Sequence, residues 1–308
     1  MHEFAYGTTS ENPHFGVVPN PLADGRVAGG SSGGNAAALV LGAAEVALGT
    51  DSGGSIRIPA ACCGIVGFKP TYGLVSLDGC FPLAPSFDHA GPMARDVETC
   101  ERGLAALVPG YARHELLSLE EVEVGLAWVD DIAPLVRERV LEAAERFPRR
   151  CPVDLPEPRG TSALFMHEVA DVHRELFAEN ADLYGEDVRI KIERCLQVTD
   201  AEAEAAMKRR EEFRLRVEEM IEGVDVIVTP TLPIVAPRIG EGGTGDLGVR
   251  EALVSRTYPF NVLGWPALAL PCGPAEDGLP ASVQLVGRPG SDALVLATAR
   301  LLEVVAAQ

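Results

Sequence analysis

Positively charged residues are scarce in this chain of 308 residues. Lys and Arg together number 26 against 45 Asp and Glu, which gives a formal net charge of −19 at pH 7. Such a balance favours solubility and opposes nonspecific attraction to phosphate backbones or anionic lipid. We therefore expect neither nucleic acid as a direct ligand nor a membrane partner.

The sequence also lacks the patterns that mark export, membrane spans and metal sites. It has no run of about 18 or more apolar residues, and its first residues, MHEFAYGTTSENPHFG, do not follow the basic-then-apolar pattern of a signal peptide. Its seven cysteines are an odd number without a Cys-x-x-Cys pair, which argues against a disulfide framework and a zinc site. These absences predict a cytoplasmic protein without a metal.

Strand and helix patterns are mixed along the chain, which predicts the α/β class. Residues 1–120 are rich in glycine, proline and small side chains, whereas 121–308 carry longer helical patterns and the apolar runs VDVIVTPTLP, WPALALPCG and ASVQLVG. We interpret 1–120 as a catalytic half and 121–308 as a scaffold and substrate-pocket half of one domain. Residues 239–248 predict a loop inside that domain, because strand-like segments lie on both sides of it.

Two serine-glycine clusters stand out in the first half. The run GGSSGG begins at Gly29 and precedes a predicted helix over 35–42; DSGGSIR begins at Asp51, where the predicted strand EVALGTD ends. Most clusters of this kind are tight turns. A phosphate cradle is disfavoured, because neither G-x-x-x-x-G-K-[ST] nor G-x-G-x-x-G occurs.

The second cluster has the composition that a nucleophilic serine requires. Ser52, Gly53, Gly54 and Ser55 can direct several backbone N–H groups at one point, because the glycines carry no Cβ. Those N–H groups would form an oxyanion hole, and Ser55 would present its hydroxyl at the same point. Ser31 of the first cluster would then relay the proton of Ser55.

At these residues the chain resembles the amidase signature family, in which Gly-Gly-Ser-Ser-Gly-Gly is followed by Gly-Thr-Asp-x-Gly-Gly-Ser-Ile-Arg-x-Pro-Ala. The segments FAYGTTSENPHFG, FDHAGPMARDVE, VIVTPTLP and PFNVLGWPALALPCG also look like that family, so the resemblance extends over nearly the whole chain. It implies an α/β/α fold with a large mixed β-sheet core flanked by helices. It also implies hydrolysis of a small-molecule carboxylic amide to acid and ammonia or amine, without a cofactor.

The resemblance further implies a Ser–cis-Ser–Lys triad. Ser55 would be the nucleophile that forms an acyl-enzyme, Ser31 on a cis peptide bond would be the relay, and a lysine would be the base. By the same resemblance, Ser32, Asp51 and Arg57 would brace the two loops through hydrogen bonds and charge pairing.

The catalytic lysine of the family lies well upstream of the relay serine, whereas only 30 residues precede Ser31 here and none is lysine. We assign no catalytic role to Lys69, Lys191 or Lys208. We expect Met1 to correspond to an internal point of a longer protein and the domain to lack its N-terminal segment, which puts the activity of this exact chain in question. An exposed sheet edge would then favour self-association, and a homodimer stays open.

Two other functions stay open. The glutamine-tRNA-forming amidotransferase subunit belongs to the same family, but it usually has Asp-Gln where this chain has Asp88-His89, and Arg where it has Leu77. The missing lysine also suits an inert remnant that acts as a binding module. We expect His14 and His89 to lie in loops near the site and to bond the backbone rather than the substrate.

Overall fold

The computed structural model describes residues 1–241 and 247–306. The strands are β1 (Glu11–Asn12), β2 (Gly16–Val17), β3 (Val46–Asp51), β4 (Val66–Lys69), β5 (His89–Ala94), β6 (Val124–Leu126), β7 (Arg150–Pro152), β8 (Val226–Pro230), β9 (Ala267–Pro274) and β10 (Pro280–Gly287). The helices are α1 (Gly33–Val40), α2 (Arg57–Cys63), α3 (Val97–Leu107), α4 (Pro134–Glu145), α5 (Ser162–Asn180), α6 (Glu186–Cys195), α7 (Asp200–Met220), α8 (Leu247–Ser255), α9 (Tyr258–Leu263) and α10 (Asp292–Ala306).

Strands β3 to β10 form one sheet in the order β3-β5-β4-β9-β10-β8-β6-β7. Strand β6 runs parallel to β7 and β8, and the other neighbouring pairs are antiparallel. The large mixed sheet predicted from the sequence is therefore confirmed. Strands β1 and β2 pair only with each other.

Helices cover both faces of this sheet, which explains why its central strands are apolar in nearly every position. Leu268 and Leu270 of β9 pack into a core with α3, α4 and α10, whereas Ala269 between them packs with α1 and α2 on the other face. Alternate residues of a strand point to opposite faces, so each face supplies its own hydrophobic core. The predicted α/β/α layering is confirmed.

The elements around the serine clusters lie close to their predicted positions. Strand β3 ends at Asp51 as predicted, and α1 covers 33–40, two residues earlier than the predicted helix. The predicted loop over 239–248 includes residues 242–246, which lie outside the described part of the chain. None of the helices within 1–241 and 247–306 has the length and apolar composition needed to cross a bilayer.

The N-terminal residues are anchored on α5 and on the turn that precedes α6. The ring of Phe4 lies 4.9 Å from that of His173 and 5.0 Å from that of Tyr184, measured between centroids. The carboxylate of Glu3 accepts a hydrogen bond from the amide of Gly185. These contacts fix residues 3–6 against the second half of the chain, next to the cavity described below.

This aromatic anchor predicts a loss of stability in mild acid. His173 is fully buried, its Nδ1 lies 2.9 Å from the hydroxyl of Tyr184, and burial lowers its pKa from 6.5 to about 4. The unfolded chain therefore binds this proton at a higher pH than the folded chain does. Stability is unaffected by this group above pH 6.5 and falls as the pH decreases from 6.5 towards 4, by about 1–2 kcal/mol at pH 5.

Urea unfolding of the wild type and of His173→Asn at pH 7.5 and pH 5.0 measures this contribution. Asn cannot titrate but can still meet the hydroxyl of Tyr184, so we expect the variant to lose less stability between the two pH values than the wild type. Equal losses in the two proteins would contradict the assignment to His173.

Candidate active site

The second serine cluster forms a loop around the carboxylate of Asp51, the last residue of β3. Asp51 Oδ1 accepts a hydrogen bond from the amide of Gly54 at 2.8 Å, and Oδ2 accepts one from the amide of Ile56 at 3.1 Å. Gly54 has φ +133°, and a Cβ there would lie 2.3 Å from Thr257 Oγ1. The loop therefore requires glycine at position 54 both for its conformation and for its packing.

A buried ion pair fixes this loop to the rest of the fold. Arg57 donates to both carboxylate oxygens of Asp51, at 2.8 and 3.0 Å, and to the side-chain oxygens of Asn261 at 2.7 Å and Gln284 at 2.8 Å. Asn261 in turn donates to Asp51 Oδ1 at 2.8 Å. All four side chains are fully buried. Burial acts to raise the pKa of Asp51, but Arg57 outweighs it and the pKa is lowered, so the carboxylate stays charged.

The first serine cluster lies against this loop. The Gly30–Ser31 peptide bond is cis, as the family resemblance implies, and the amide of Ser32 donates to the carbonyl of Ser55 at 3.2 Å. The hydroxyl of Ser10 donates to the carbonyl of Ser31 and accepts from the amide of Gly33, both at 3.1 Å. The two clusters, separated in sequence by an α-helix and a strand, thus meet in one place.

A cavity of about 280 Å³ opens onto Ser52, Gly53 and Ser55. Its walls come from both halves of the chain. Most are apolar or aromatic, and they include Ala5, Tyr6, Ile58, Phe165, Met166 and Tyr258. A cavity of this size is at the small end of ligand sites and accommodates a small molecule.

The residues predicted for the oxyanion hole differ in their contacts. Ser52, Gly53 and Ser55 line the cavity, whereas Gly54 does not, and its amide is bonded to Asp51. The hydroxyl of Ser52 donates to Asp88, whose carboxylate also accepts the amides of Leu83 and Ala84. The amide of Gly54 is therefore part of the brace, and the cavity side of the loop presents the other three residues.

Three buried polar atoms around Ser31 have no hydrogen-bond partner among the described residues. They are Ser31 Oγ, Thr8 Oγ1 and His2 Nδ1. The amide of His2 donates to the carbonyl of Ser31 at 3.1 Å, and a Cβ on Gly30 would lie 2.8 Å from the carbonyl carbon of Thr8. Unpartnered buried polar atoms are rare in folded proteins, and three of those in the described residues lie around Ser31.

None of the three lysines donates a hydrogen bond to either candidate catalytic serine. Lys69 is fully buried and donates to the carbonyls of Trp265 and Pro70, and burial lowers its pKa well below the usual value. Lys191 donates to Asp187 and to the carbonyl of Tyr6. Its pKa is lowered to about 8, mainly by burial and secondly by repulsion from Arg250. Lys208 is exposed on α7.

The two histidines singled out from the sequence bond other groups. Nδ1 of the buried His89 lies 2.7 Å from the carbonyl oxygen of Phe87, and burial lowers its pKa well below 6.5. Nε2 of His14 lies 2.9 Å from Glu3 Oε1. His89 therefore bonds the backbone as predicted, but it is the first residue of β5 and not a loop residue, whereas His14 bonds a carboxylate. The described residues contain no group of three or more His, Cys, Asp or Glu side chains placed to hold a metal ion.

Comparison with known proteins assigns the chain to a family. A family model described as Amidase matches residues 1–113 and 115–296. The chain is 33% identical to the 1-carboxybiuret hydrolase subunit of Pseudomonas sp. (strain ADP), covering 98% of this chain and 72% of that protein. It is 35% identical to a glutamyl-tRNA(Gln) amidotransferase subunit of Symbiobacterium thermophilum, covering 96% and 70%. A solved structure described as "Crystal structure of amidase" superposes with TM-score 0.89 at 37% identity, covering 99% and 73%.

The chain therefore belongs to the amidase signature family. Its relatives include amidases and amidotransferase subunits, which are hydrolase-type enzymes that cleave C–N bonds.

The role of Ser10 predicts a specific cost for removing its hydroxyl. Ser10→Ala leaves the amide of Gly33 without its acceptor in a buried position, so we expect the free energy of unfolding to fall by about 1–3 kcal/mol. Ser255→Ala is the control, because the hydroxyl of the exposed Ser255 bonds the carbonyl of Ala252 and no other group of the described residues, and it should change stability by less than about 0.5 kcal/mol. Urea unfolding measures both, and equal effects would contradict the bracing role of Ser10.

The ion pair predicts that lysine cannot replace arginine at position 57. An ammonium group keeps the charge but cannot donate to Asp51, Asn261 and Gln284 from a planar fork, so Arg57→Lys should lower the free energy of unfolding by about 2–4 kcal/mol. Arg216→Lys, on the exposed face of α7, should change it by less than about 0.5 kcal/mol. A similar small effect at both positions would show that the planar guanidinium of Arg57 is not required.

Proposed function

We propose that this protein hydrolyses a small carboxylic amide to acid and ammonia or amine through an acyl-enzyme on Ser55. The observation that carries the proposal is that Ser55 lines the cavity while its carbonyl accepts the amide of Ser32, next to Ser31. This bond holds the nucleophile and the relay on adjoining loops. Membership of the amidase signature family supports the same reaction type.

In this mechanism Ser55 Oγ attacks the carbonyl carbon of the amide and passes its proton to Ser31. The backbone N–H groups of Ser52, Gly53 and Ser55 would hold the oxyanion of the tetrahedral intermediate, because these residues face the cavity. The C–N bond then breaks and the leaving amine takes up a proton. Water attacks the resulting ester, and Ser55 regains its proton as the acid leaves.

The proton that Ser31 receives requires a base. Lys69, Lys191 and Lys208 are not bonded to Ser31, and we assign the role to none of them. We place this base beside Ser31 Oγ, which has no hydrogen-bond partner among the described residues. Ser32, Asp51 and Arg57 have the positioning role, which their contacts with the two loops support.

A second candidate is an amidotransferase component that works with a partner and a tRNA. What favours it is the 35% identity with a protein named as part of a glutamyl-tRNA(Gln) amidotransferase. The net charge of −19 argues against direct tRNA contact by this chain. Leu77 and the Asp88-His89 pair also depart from the residues that such a component usually has.

We also propose a cytoplasmic location, supported by seven cysteines that are all free. Five of them are not exposed, and two, Cys80 and Cys151, are. A small-molecule amide is the proposed ligand, and a homodimer stays a prediction that light scattering can test.

Replacement of the nucleophile tests the main proposal. Ammonia release is followed over a panel of short aliphatic and aromatic amides, and Ser55→Ala should lower turnover by about 10⁴-fold or more. Ser255→Ala should leave turnover unchanged, because its exposed hydroxyl lies outside the site. Turnover that survives in Ser55→Ala would overturn the acyl-enzyme mechanism.

Covalent labelling separates the enzyme from an inert remnant. A fluorophosphonate should add its mass to Ser55 in the wild type and should not label Ser55→Ala. Absence of labelling together with tight binding of small amides would support the binding module. Glutamine hydrolysis that appears only when a partner protein co-purifies would instead support the amidotransferase component.

A further inference from the structure

One charged side chain, that of Arg250 in α8, lines the cavity of Ser55 among the described residues. The other lining residues are apolar, aromatic, glycine or hydroxyl-bearing. This is notable in a chain whose acidic residues outnumber its basic ones by 45 to 26. Arg250 is half-buried, and a guanidinium that is partly removed from water is stabilised by an anionic partner.

Arg250 has no carboxylate within ion-pair distance among the described residues, unlike the buried Arg57, which is paired with Asp51. Its guanidinium carbon instead lies 5.8 Å from the ring centroid of Tyr6, another lining residue. The ammonium of Lys191 lies 5.5 Å from the same ring. Tyr6 is therefore flanked by two cations, of which only Lys191 is bonded to a carboxylate, that of Asp187.

Like charge near Arg250 adds to the need for an anion on the cavity side. Burial is the main cause of the lowered pKa of Lys191, and repulsion from Arg250 is the second. Arg250 also opposes protonation of His2. Asp187 is paired with Lys191, and neither residue lines the cavity. No carboxylate is among the described residues that line the cavity, so none there neutralises Arg250.

A carboxylate fits these features better than a neutral group. A guanidinium binds a carboxylate through two parallel N–H donors, which fixes its orientation as well as its position. Phe165, Met166 and Tyr258 offer apolar and aromatic surface for the part of a substrate between its two ends. The cavity volume of about 280 Å³ limits that part to a short chain or one ring.

We propose that the substrate is a small amide that carries a carboxylate, which Arg250 binds while the amide carbon lies at Ser55. The inference rests on the proposed amidase function and deepens it by naming the substrate class. Arg250 is a specificity residue in this scheme and takes no part in the bond changes.

Pairs of amides in which a methyl group replaces the carboxylate test the inference. The pairs are succinamate with butanamide, glutaramate with pentanamide, and 4-carbamoylbenzoate with 4-methylbenzamide. The wild type should have a higher kcat/KM for at least one acid than for its neutral partner. In Arg250→Gln that ratio should fall by about 30-fold or more, mainly through KM, because the contact is made equally in the ground and transition states.

Two further variants sharpen the test. Arg250→Lys should keep part of the preference, because it retains a positive charge without the fork. Arg216→Gln removes the same charge from the exposed face of α7 and should leave the ratio unchanged. Hydrolysis of the amides without preference for any acid, or an equal loss for acid and neutral partner in Arg250→Gln, would overturn the inference while the amidase function stands.

Binding to Ser55→Ala tests the same contact without turnover, and so separates it from failure of the amidase function. Calorimetry should show tighter binding of the preferred acid than of its neutral partner, and Arg250→Gln in the same background should abolish the difference. Equal affinities for both members of every pair would overturn the inference, whether or not the wild type hydrolyses amides.

Discussion

The site depends on the buried ion pair between Asp51 and Arg57. Asp51 ends strand β3 and Arg57 begins helix α2, so the loop between them is held at both ends by one interaction. Removal of two charges from water is expensive, and it is compensated here because Asn261 and Gln284 bond the remaining N–H and oxygen groups. The interaction therefore joins the serine loop to α9 and β10, and through them to the centre of the sheet.

The cavity is formed where two sequence-distant halves of the chain meet. The first half supplies the second serine loop and the N-terminal residues, and the second supplies α5, α8 and α9. Phe4 and Glu3 fix the N-terminal residues against α5 and Gly185, so the wall that contains Tyr6 depends on contacts between residues up to 182 positions apart in the sequence. Such a site combines a rigid reactive loop with walls that come from other elements.

The local part of this site could be predicted from the sequence and the long-range part could not. The positions of Ser31 and Ser55 follow from two motifs, and the strand before Asp51 follows from a short apolar run. Arg57, in contrast, bonds partners 200 to 227 residues away, and no pattern within PFNVLG or ASVQLVG indicates which arginine it meets. The role of Ser10 could not be predicted for the same reason, because its two bonds form only once the N-terminal residues pack against the first cluster. The amide of Gly54 donates to Asp51 and not into the predicted oxyanion hole. The spacing of residues in a motif does not show which N–H group will bond a nearby carboxylate.

The brace around the serine loop does not change its protonation across the range in which proteins work. The lowered pKa of Asp51, which lies beside Arg57, keeps that carboxylate ionised well into acid. The shape of the loop is therefore insulated from acidity, and a pH–rate profile measured on this protein reports on the groups that exchange protons with the substrate rather than on the scaffold that holds them.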